Sequence, residues 1–408
     1  MRFIILIIIY LLFDYYAFQL IKVQVAESSD NTRRVVYVIY WIITLGALAS
    51  IPLIASLDPF KQRALRTFLL SFVFINFISK FFVSFFLLID DVWRGIQWVA
   101  GKFTKEQSEP VDIGRTKFLT TTAVVAGALP AITLGFGVVS GAYDYRVRRR
   151  TVYFPNLPKE FDGIKVVQLS DIHSGSFYNK TAVKGGIELA MAEKPDIICF
   201  TGDLVNDQSK EVEDYVPVFE KLKAPLGVYS VMGNHDYGDY KQWASRDAKA
   251  KDIANLHKAH ELMGWDLLLN ENRKIKVDGA EIGLLGIENW GKGRFSKYGD
   301  LNKTMQGMEE MPFKLLMSHD PSHWEAQVIP ETNIDLTLSG HTHGFQFGVE
   351  IGDFKWSPSQ YIYKQWADLY QEKDQYIYVN RGFGFLGYPG RIGILPEITV
   401  LELKKGTA

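Results

Sequence analysis

Cysteine is almost missing from this 408-residue chain. The single residue, Cys199, cannot form an intrachain disulfide, and its place in the apolar run Ile197–Phe200 reads as a small buried hydrophobe. Net charge is nearly missing too: 45 Lys and Arg stand against 46 Asp and Glu, a balance of −1, so nucleic acid is not an expected partner. Internal repeats and low-complexity tracts are also lacking. Histidine is scarce at eight residues, which makes its distribution informative.

What residues 1–141 lack is a polar helical face. Four long apolar stretches, roughly 3–21, 35–57, 67–89 and 117–141, are separated by cationic segments. Each is near or above the ~20 residues a helix needs to cross a bilayer, and core helices of a soluble domain would show polar positions at period 3.6. A cleaved signal peptide accounts for the first stretch at best. Four spanning helices are therefore expected. Asp14 and Lys80 fall inside the stretches; pairing within the bundle is one reading, and the favoured one leaves Asp14 near a helix end and Lys80 snorkelling.

Membrane orientation is weakly encoded. Eight Lys and Arg fall on either side of the four spans, so the positive-inside rule assigns neither orientation. Gly114-Arg115-Thr116-Lys117-Phe118-Leu119 resembles a degenerate twin-arginine export signal without the twin arginine, which favours an extracytoplasmic C-terminal region. The basic run Arg146–Arg150 pulls the other way. Residues 102–116 read as an extramembrane loop and 142–157 as a connection, dividing the chain into a transmembrane region, 1–150, and a globular domain, 151–408.

After Arg150 the sequence alternates strand and helix signals. Strands are expected over 163–169, 196–200, 227–232, 313–317 and 334–338, with helices over 180–193, 211–222 and 241–263. This is the pattern of a layered α/β fold. Later strands at 281–288, 375–379 and 397–403 are expected in a second sheet packed on the first.

Five islands follow the C-terminal ends of the first five strands: Asp171-Ile172-His173, Gly202-Asp203, Gly233-Asn234-His235-Asp236, His319 and Gly340-His341-Thr342-His343. That edge of an α/β sheet is where loops converge on ligands. Five of the eight histidines lie in these islands, and the set reads as a dinuclear metal site. Asp203, after a Gly that relieves crowding, is the natural bridging carboxylate. In extended chain, Asp171 with His173 and His341 with His343 would point the same way in pairs. Mixed imidazole and carboxylate donors suit Mn, Fe, Zn or Co.

The same islands, in this order, resemble the calcineurin-like metallophosphoesterase superfamily, over about 160–403. The spans and Arg391–Glu397 narrow the resemblance to its membrane-anchored bacterial phosphodiesterase branch. It implies a four-layer α/β/β/α sandwich of two mixed sheets behind a four-helix transmembrane region. It also implies hydrolysis of a phosphodiester or pyrophosphate, with two divalent metals that acidify a water and clamp the attacking and leaving oxygens. On matching positions, Asp171, His173, Asp203 and His343 would hold one metal, and Asp203, Asn234, His319 and His341 the other. His235 would contact the phosphoryl group and stabilise or protonate the leaving oxygen, with Asp236 orienting it. One departure stands out: Phe345 occupies a position that is commonly Gly in that branch.

Taken singly, a strand-end Asp or Asn is a turn former, and only the ordered set makes Asp203 and Asn234 ligands. His257, His260 and His323 lie outside the motifs and read as surface or helix residues, Asp207 as a solvated loop residue. The aromatic stretch Trp356–Tyr370 reads as packing or membrane-surface contact, and Arg381 and Arg391 as candidate phosphate contacts. Anchoring by four helices points to an amphiphilic substrate at the bilayer, such as a lipid-linked nucleotide resembling UDP-diacylglucosamine. The alternatives are a tethered hydrolase of soluble diesters and a non-catalytic membrane sensor or scaffold. Oligomeric state is not encoded.

Overall fold

A computed structural model describes residues 2–103, 117–293, 295–352 and 354–407. The chain divides into two compact units, Met1–Val138 and Val139–Ala408.

The first unit contains α1 (Arg2–Gln24), α2 (Asp30–Ser56), α3 (Arg63–Phe103) and α4 (Lys117–Val139). All four are long and apolar enough to cross a membrane. The Ser29 hydroxyl caps α2 by accepting the Thr32 amide at 3.2 Å, satisfying one of the first-turn donors. At 41 residues, α3 is about 60 Å long, about twice the hydrocarbon core. Past its apolar stretch, Arg94 pairs with Asp90 and Asp91 one turn before it on the same helix. Most of the loop 102–116, and the export-like segment as far as Thr116, lie outside the described residues.

Asp14 and Lys80 correct the sequence reading. Both are buried and form an ion pair. Thr44 of α2 donates to Asp14 Oδ1 at 2.5 Å and lies 2.9 Å from Lys80 Nζ. Neither charge snorkels, because each finds its partner inside the bundle, where an isolated charge is costly.

The second unit is built on β1 (Arg146–Phe154), β2 (Lys165–Leu169), β3 (Ile197–Phe200), β4 (Val228–Ser230), β5 (Asp266–Leu267), β6 (Glu271–Val277), β7 (Ala280–Gly286), β8 (Lys314–Met317), β9 (Leu336–Ser339), β10 (Val349–Ile351), β11 (Phe354–Trp356), β12 (Asp368–Glu372), β13 (Gln375–Val379) and β14 (Glu397–Lys405). They form two six-stranded sheets, ordered β1-β14-β2-β3-β4-β5 and β12-β13-β9-β8-β7-β6, plus the separate hairpin β10-β11. Both large sheets are mixed: β2-β3-β4 and β7-β8-β9 are parallel, whereas β14-β2 and β6-β7 are antiparallel.

Alternation along β3 shows how the layers arise. Ile197 and Cys199 face a core shared with Leu315, Met317, Leu336 and Leu338 of the other sheet. Ile198 and Phe200 face the opposite core, with Val183 and Ile187 of α5 (Lys180–Ala192) and Leu256 and Met263 of the helix Arg246–Met263. A third core packs Leu285, Leu316 and Ile377 against Trp324 and Val328. Helix, sheet, sheet and helix therefore stack as four layers, and each buried aliphatic side chain contributes about 1.5–3 kcal/mol.

Three expectations change. Residues 142–157, read as a connection, hold β1, which pairs along its whole length with β14. The basic run within β1 is neutralised locally: Arg146 pairs with Asp144, Arg148 with Glu350, Arg149 with Glu193 and Arg150 with Asp368. The helix expected over 211–222 is broken into short turns, with one α-helical turn at Val216–Phe219. Strand 397–405 joins the first sheet between β1 and β2, not the second.

Candidate metal centre

The five islands meet at one place although their strands belong to different sheets. β2, β3 and β4 deliver Asp171, Asp203 and Asn234 from one sheet, and β8 and β9 deliver His319 and His341 from the other. Two groups offer ligand atoms within 4.8 Å of one another: Asp171, His173 and His343, and Asp203, His319 and His341. Asp203 Oδ2 lies 3.1 Å from His319 Nε2 and 3.6 Å from His173 Nε2, so one oxygen faces both groups. Asn234 Oδ1 is 3.1 Å from His319 Nε2, and His343 Nε2 is 3.1 Å from Asp171 Oδ1.

The backbone that aims these side chains is not extended. Asp171, His173, Asp203, His341 and His343 all have φ between 48° and 69°. This is the left-handed region that non-glycine residues rarely occupy and that concentrates at functional sites. Phe345 shares it at 53°, a conformation that suits the Gly it replaces. Close approach adds a second constraint. A Cβ on Gly340 would collide with Ser170 Oγ and Asp171 Oδ2, and the Asp171 carboxylate accepts the His341 amide at 2.9–3.0 Å.

Second partners fix the imidazole tautomers. His319 Nδ1 donates to the Thr201 carbonyl at 2.8 Å, which leaves the Nε2 lone pair facing Asp203. His173 Nδ1 donates to Asn206 Oδ1 at 3.1 Å, which leaves Nε2 facing His343 Nε2 at 3.1 Å and Asp203 Oδ2 at 3.6 Å. His341 reverses the pattern: Nε2 meets the Tyr363 hydroxyl at 2.9 Å, and Nδ1 faces His319 Nε2 at 3.2 Å. Two imidazole lone pairs and a carboxylate oxygen thus converge, an arrangement that repels itself unless a cation or a proton lies between them. Arg391 Nη2 lies 3.2 Å from His343 Nδ1, but carbonyls of Gly382 and Gly384 accept its protons. The donor set fits borderline divalent metals.

The electrostatics agree. Burial pushes His173 down to about 3 despite the pull of Asp203, keeping it neutral. Burial would also depress His319, but the Asp203 carboxylate outweighs it and lifts His319 to about 10. Asp203 is held well below the carboxylate range, where its histidine neighbours outweigh burial.

Other sequence-derived assignments fare differently. His235 Nδ1 donates to the Asn206 carbonyl at 2.7 Å, so the ring is oriented by Asn206. Asp236 instead accepts the amides of Asp203, Leu204, Val205 and Gly233 at 2.8–3.2 Å; its carboxylate ties two site loops together. Arg381 is fully buried between Glu350 and Glu397 at 2.6 Å each, which removes it as a phosphate contact. Arg391 is likewise buried against backbone carbonyls. His260 is a core residue bonded to Ser230 Oγ at 2.9 Å, and His323 is bonded to Ser318 Oγ at 2.9 Å. Neither joins a ligand group. The sequence reading missed Asn206, Tyr363 and Asp320, whose Oδ2 is 3.7 Å from His341 Nε2. Only the short spacing of Asn206 from Asp203 and of Asp320 from His319 marks two of them.

Residues 164–345 match the family described as calcineurin-like phosphoesterase, and residues 1–142 match the one described as probable calcineurin-like phosphoesterase, transmembrane domain. The chain belongs to the calcineurin-like phosphoesterase family. It is 29% identical over 301 residues to the metallophosphoesterase YkuE of Bacillus subtilis, covering 71% of this chain and 99% of that one. It is 25% identical to the transmembrane protein with metallophosphoesterase domain of Bos taurus, covering 78% and 68%. It is 27% identical to the phosphodiesterase YaeI of Escherichia coli, covering 71% and 99%. This metallophosphoesterase is a membrane-associated, metal-dependent phosphoric ester hydrolase.

Proposed function

We propose that this metallophosphoesterase hydrolyses a phosphodiester or pyrophosphate bond using two divalent transition-metal ions, Mn, Fe, Zn or Co. Asp171, His173, Asp203 and His343 would hold one ion, and Asp203, Asn234, His319 and His341 the other. The observation that carries the reading is Asp203 Oδ2, which faces His173 and His319 at once. Bound there, the cations supply Lewis acidity, lowering the pKa of a water and offsetting charge on the phosphoryl oxygens.

The chain's own residues supply the rest. Asn206 fixes the His235 ring through Nδ1, leaving Nε2 as the nitrogen that takes up a proton and passes it to the leaving oxygen. The Thr201 carbonyl holds the tautomer of His319, and the Tyr363 hydroxyl positions the His341 ring; such outer partners usually matter for metal affinity. The diester preference is supported by the likeness to YaeI. The four spans favour an amphiphilic substrate, in the manner of a lipid-linked nucleotide such as UDP-diacylglucosamine, over a soluble diester.

The catalytic unit is read as extracytoplasmic. The export-like segment ending in Lys117-Phe118-Leu119 supports this, and the opposing basic run is engaged by local acids. Metal analysis of the purified chain, coupled to turnover of matched lipid-linked and soluble diesters, tests the activity. Two ions per chain and faster lipid-diester turnover are expected; equal turnover of short soluble diesters overturns the amphiphilic substrate. C-terminal reporter fusions test the orientation.

A further inference from the structure

The hairpin β10-β11 belongs to neither large sheet, and its amphipathic sense is reversed. Its register pairs Val349 with Trp356, Glu350 with Lys355 and Ile351 with Phe354. Alternation therefore puts Val349, Ile351, Phe354 and Trp356 on one face and Glu350 and Lys355 on the other. The charged face is the inward one: Glu350 is bound by Arg148 and Arg381, and Lys355 Nζ donates to the Ala367 carbonyl at 2.7 Å. The apolar face is outward, with Ile351 73% and Phe354 63% exposed. An isolated two-stranded hairpin is marginal in water, and one that turns its hydrophobes outward gains nothing there from burying them.

The patch is larger than the hairpin. Trp356 lies edge-on to Phe347 at 6.4 Å and donates to the Tyr361 hydroxyl at 3.4 Å. Tyr361 and Ile362 are both strongly exposed. Within the same compact unit, Val139–Ala408, the patch lies close to residues at and just after the C-terminal end of the last candidate span, Thr120–Tyr143. Arg148, five residues beyond that span, holds Glu350. Gly141 abuts the Arg391 backbone, and the next residue, Ile392, bridges to Phe347. On its other side, the patch follows directly from the loop that carries His341 and His343.

We infer that the outward face of β10-β11, extended by Phe347, Tyr361 and Ile362, is a membrane-docking surface that sits at the headgroup–acyl boundary of a lipid bilayer. A bilayer is the apolar phase always present at the end of a spanning helix, and aromatic and aliphatic side chains are what such a boundary accepts. The docked hairpin holds the rim of the metal centre against lipid. It gives surface-bound phosphoesters a short path to the site, a consequence that rests on the proposed function.

The test uses the full chain in phosphatidylcholine nanodiscs at one copy per disc. An environment-sensitive fluorophore is attached to Ile351→Cys or, independently, Phe354→Cys; native Cys199 is buried. Leu262→Cys, on an exposed site of the helix Arg246–Met263, is the reference. Docking is expected to blue-shift both hairpin probes, and brominated acyl chains should quench at least half of their emission while leaving the reference unchanged. Adding Ile351→Asp to the Phe354→Cys protein should abolish that quenching. Hairpin probes that aqueous iodide quenches as strongly as the reference, and that brominated lipid does not, overturn the inference. Quenching that requires two copies per disc also overturns it and assigns the face to self-association. None of these readouts needs turnover, so the result stands apart from that of the phosphoesterase assay.

Discussion

The backbone amide of His235 donates to Asp203 Oδ1 at 2.9 Å. The other oxygen of that carboxylate faces His173 and His319. A single side chain thus fixes the loop of the proposed proton donor while presenting itself to both ligand groups. Asp203→Asn should lower metal content from two ions per chain to one or fewer and cut diester turnover by at least ~100-fold. Elemental analysis beside a chromogenic diester assay measures both, and full metal content with full rate would remove the bridging assignment.

His235→Ala separates proton transfer from metal binding. No ligand atom of either group belongs to His235, so both ions should stay. Turnover should fall by roughly 10²–10⁴, the usual contribution of a positioned acid or base. Loss of metal in this variant would show that the residue is a ligand.

Asp236 should behave as a structural anchor. Four amides depend on its carboxylate, and each buried donor left unpaired costs about 1–3 kcal/mol. Asp236→Ala is expected to lower stability by at least about 3 kcal/mol and to lose metal as the 203–205 and 233–236 loops separate. Thermal unfolding and elemental analysis check this. A variant that kept its stability and metal while losing only rate would restore the role of orienting His235.

Acid should destabilise the catalytic unit through two buried histidines outside the ligand groups. Burial holds His260 down to about 3 and His323 to about 4, against about 6.5 in the unfolded chain. The unfolded state binds more protons below that value, so stability is complete above pH ~6.5 and falls as pH drops toward the folded values. Each histidine can contribute up to about 1.4 kcal/mol per pH unit. Urea unfolding followed by tryptophan fluorescence should show a shallower dependence on pH between 7.5 and 5.5 in His260→Leu than in the parent chain. An unchanged pH slope in that variant would contradict the assignment.

Removing one partner of the buried Asp14–Lys80 pair should cost about 3–5 kcal/mol, and replacing both with apolar residues should restore most of it. Heat-induced aggregation of detergent-solubilised Asp14→Leu, Lys80→Leu and the double variant makes the comparison. Three variants each as stable as the parent chain would mean that the pair contributes nothing.

Much of this architecture is written locally. The short, largely apolar runs that precede Asp171, Asp203, Asn234, His319 and His341 identify both the strands and the loops that meet, because strand alternation and turn chemistry act over a few residues. What sequence hides is set by tertiary context. Extended backbone would give Asp171 and His173 a shared direction, whereas left-handed φ values aim them. Arg381 and Arg391 look free until Glu350, Glu397 and the carbonyls at Gly382 and Gly384 surround them. The arginine-rich residues of β1 resemble a linker because their acids lie up to 218 positions away. Asp14 and Lys80 are obscured for the same reason.

The Asp14–Lys80 contact also sets a schedule for biosynthesis. Its partners are 66 positions apart, so at ~5–20 residues per second the ribosome takes roughly 3–13 s to reach the lysine after the aspartate. Throughout that interval the nascent first helix holds a carboxylate without its counter-ion. A product terminated before the third helix would keep that charge unpaired, at a cost of about 2.5–3.5 kcal/mol at a helix centre, and should be a better substrate for quality-control proteases than the full chain.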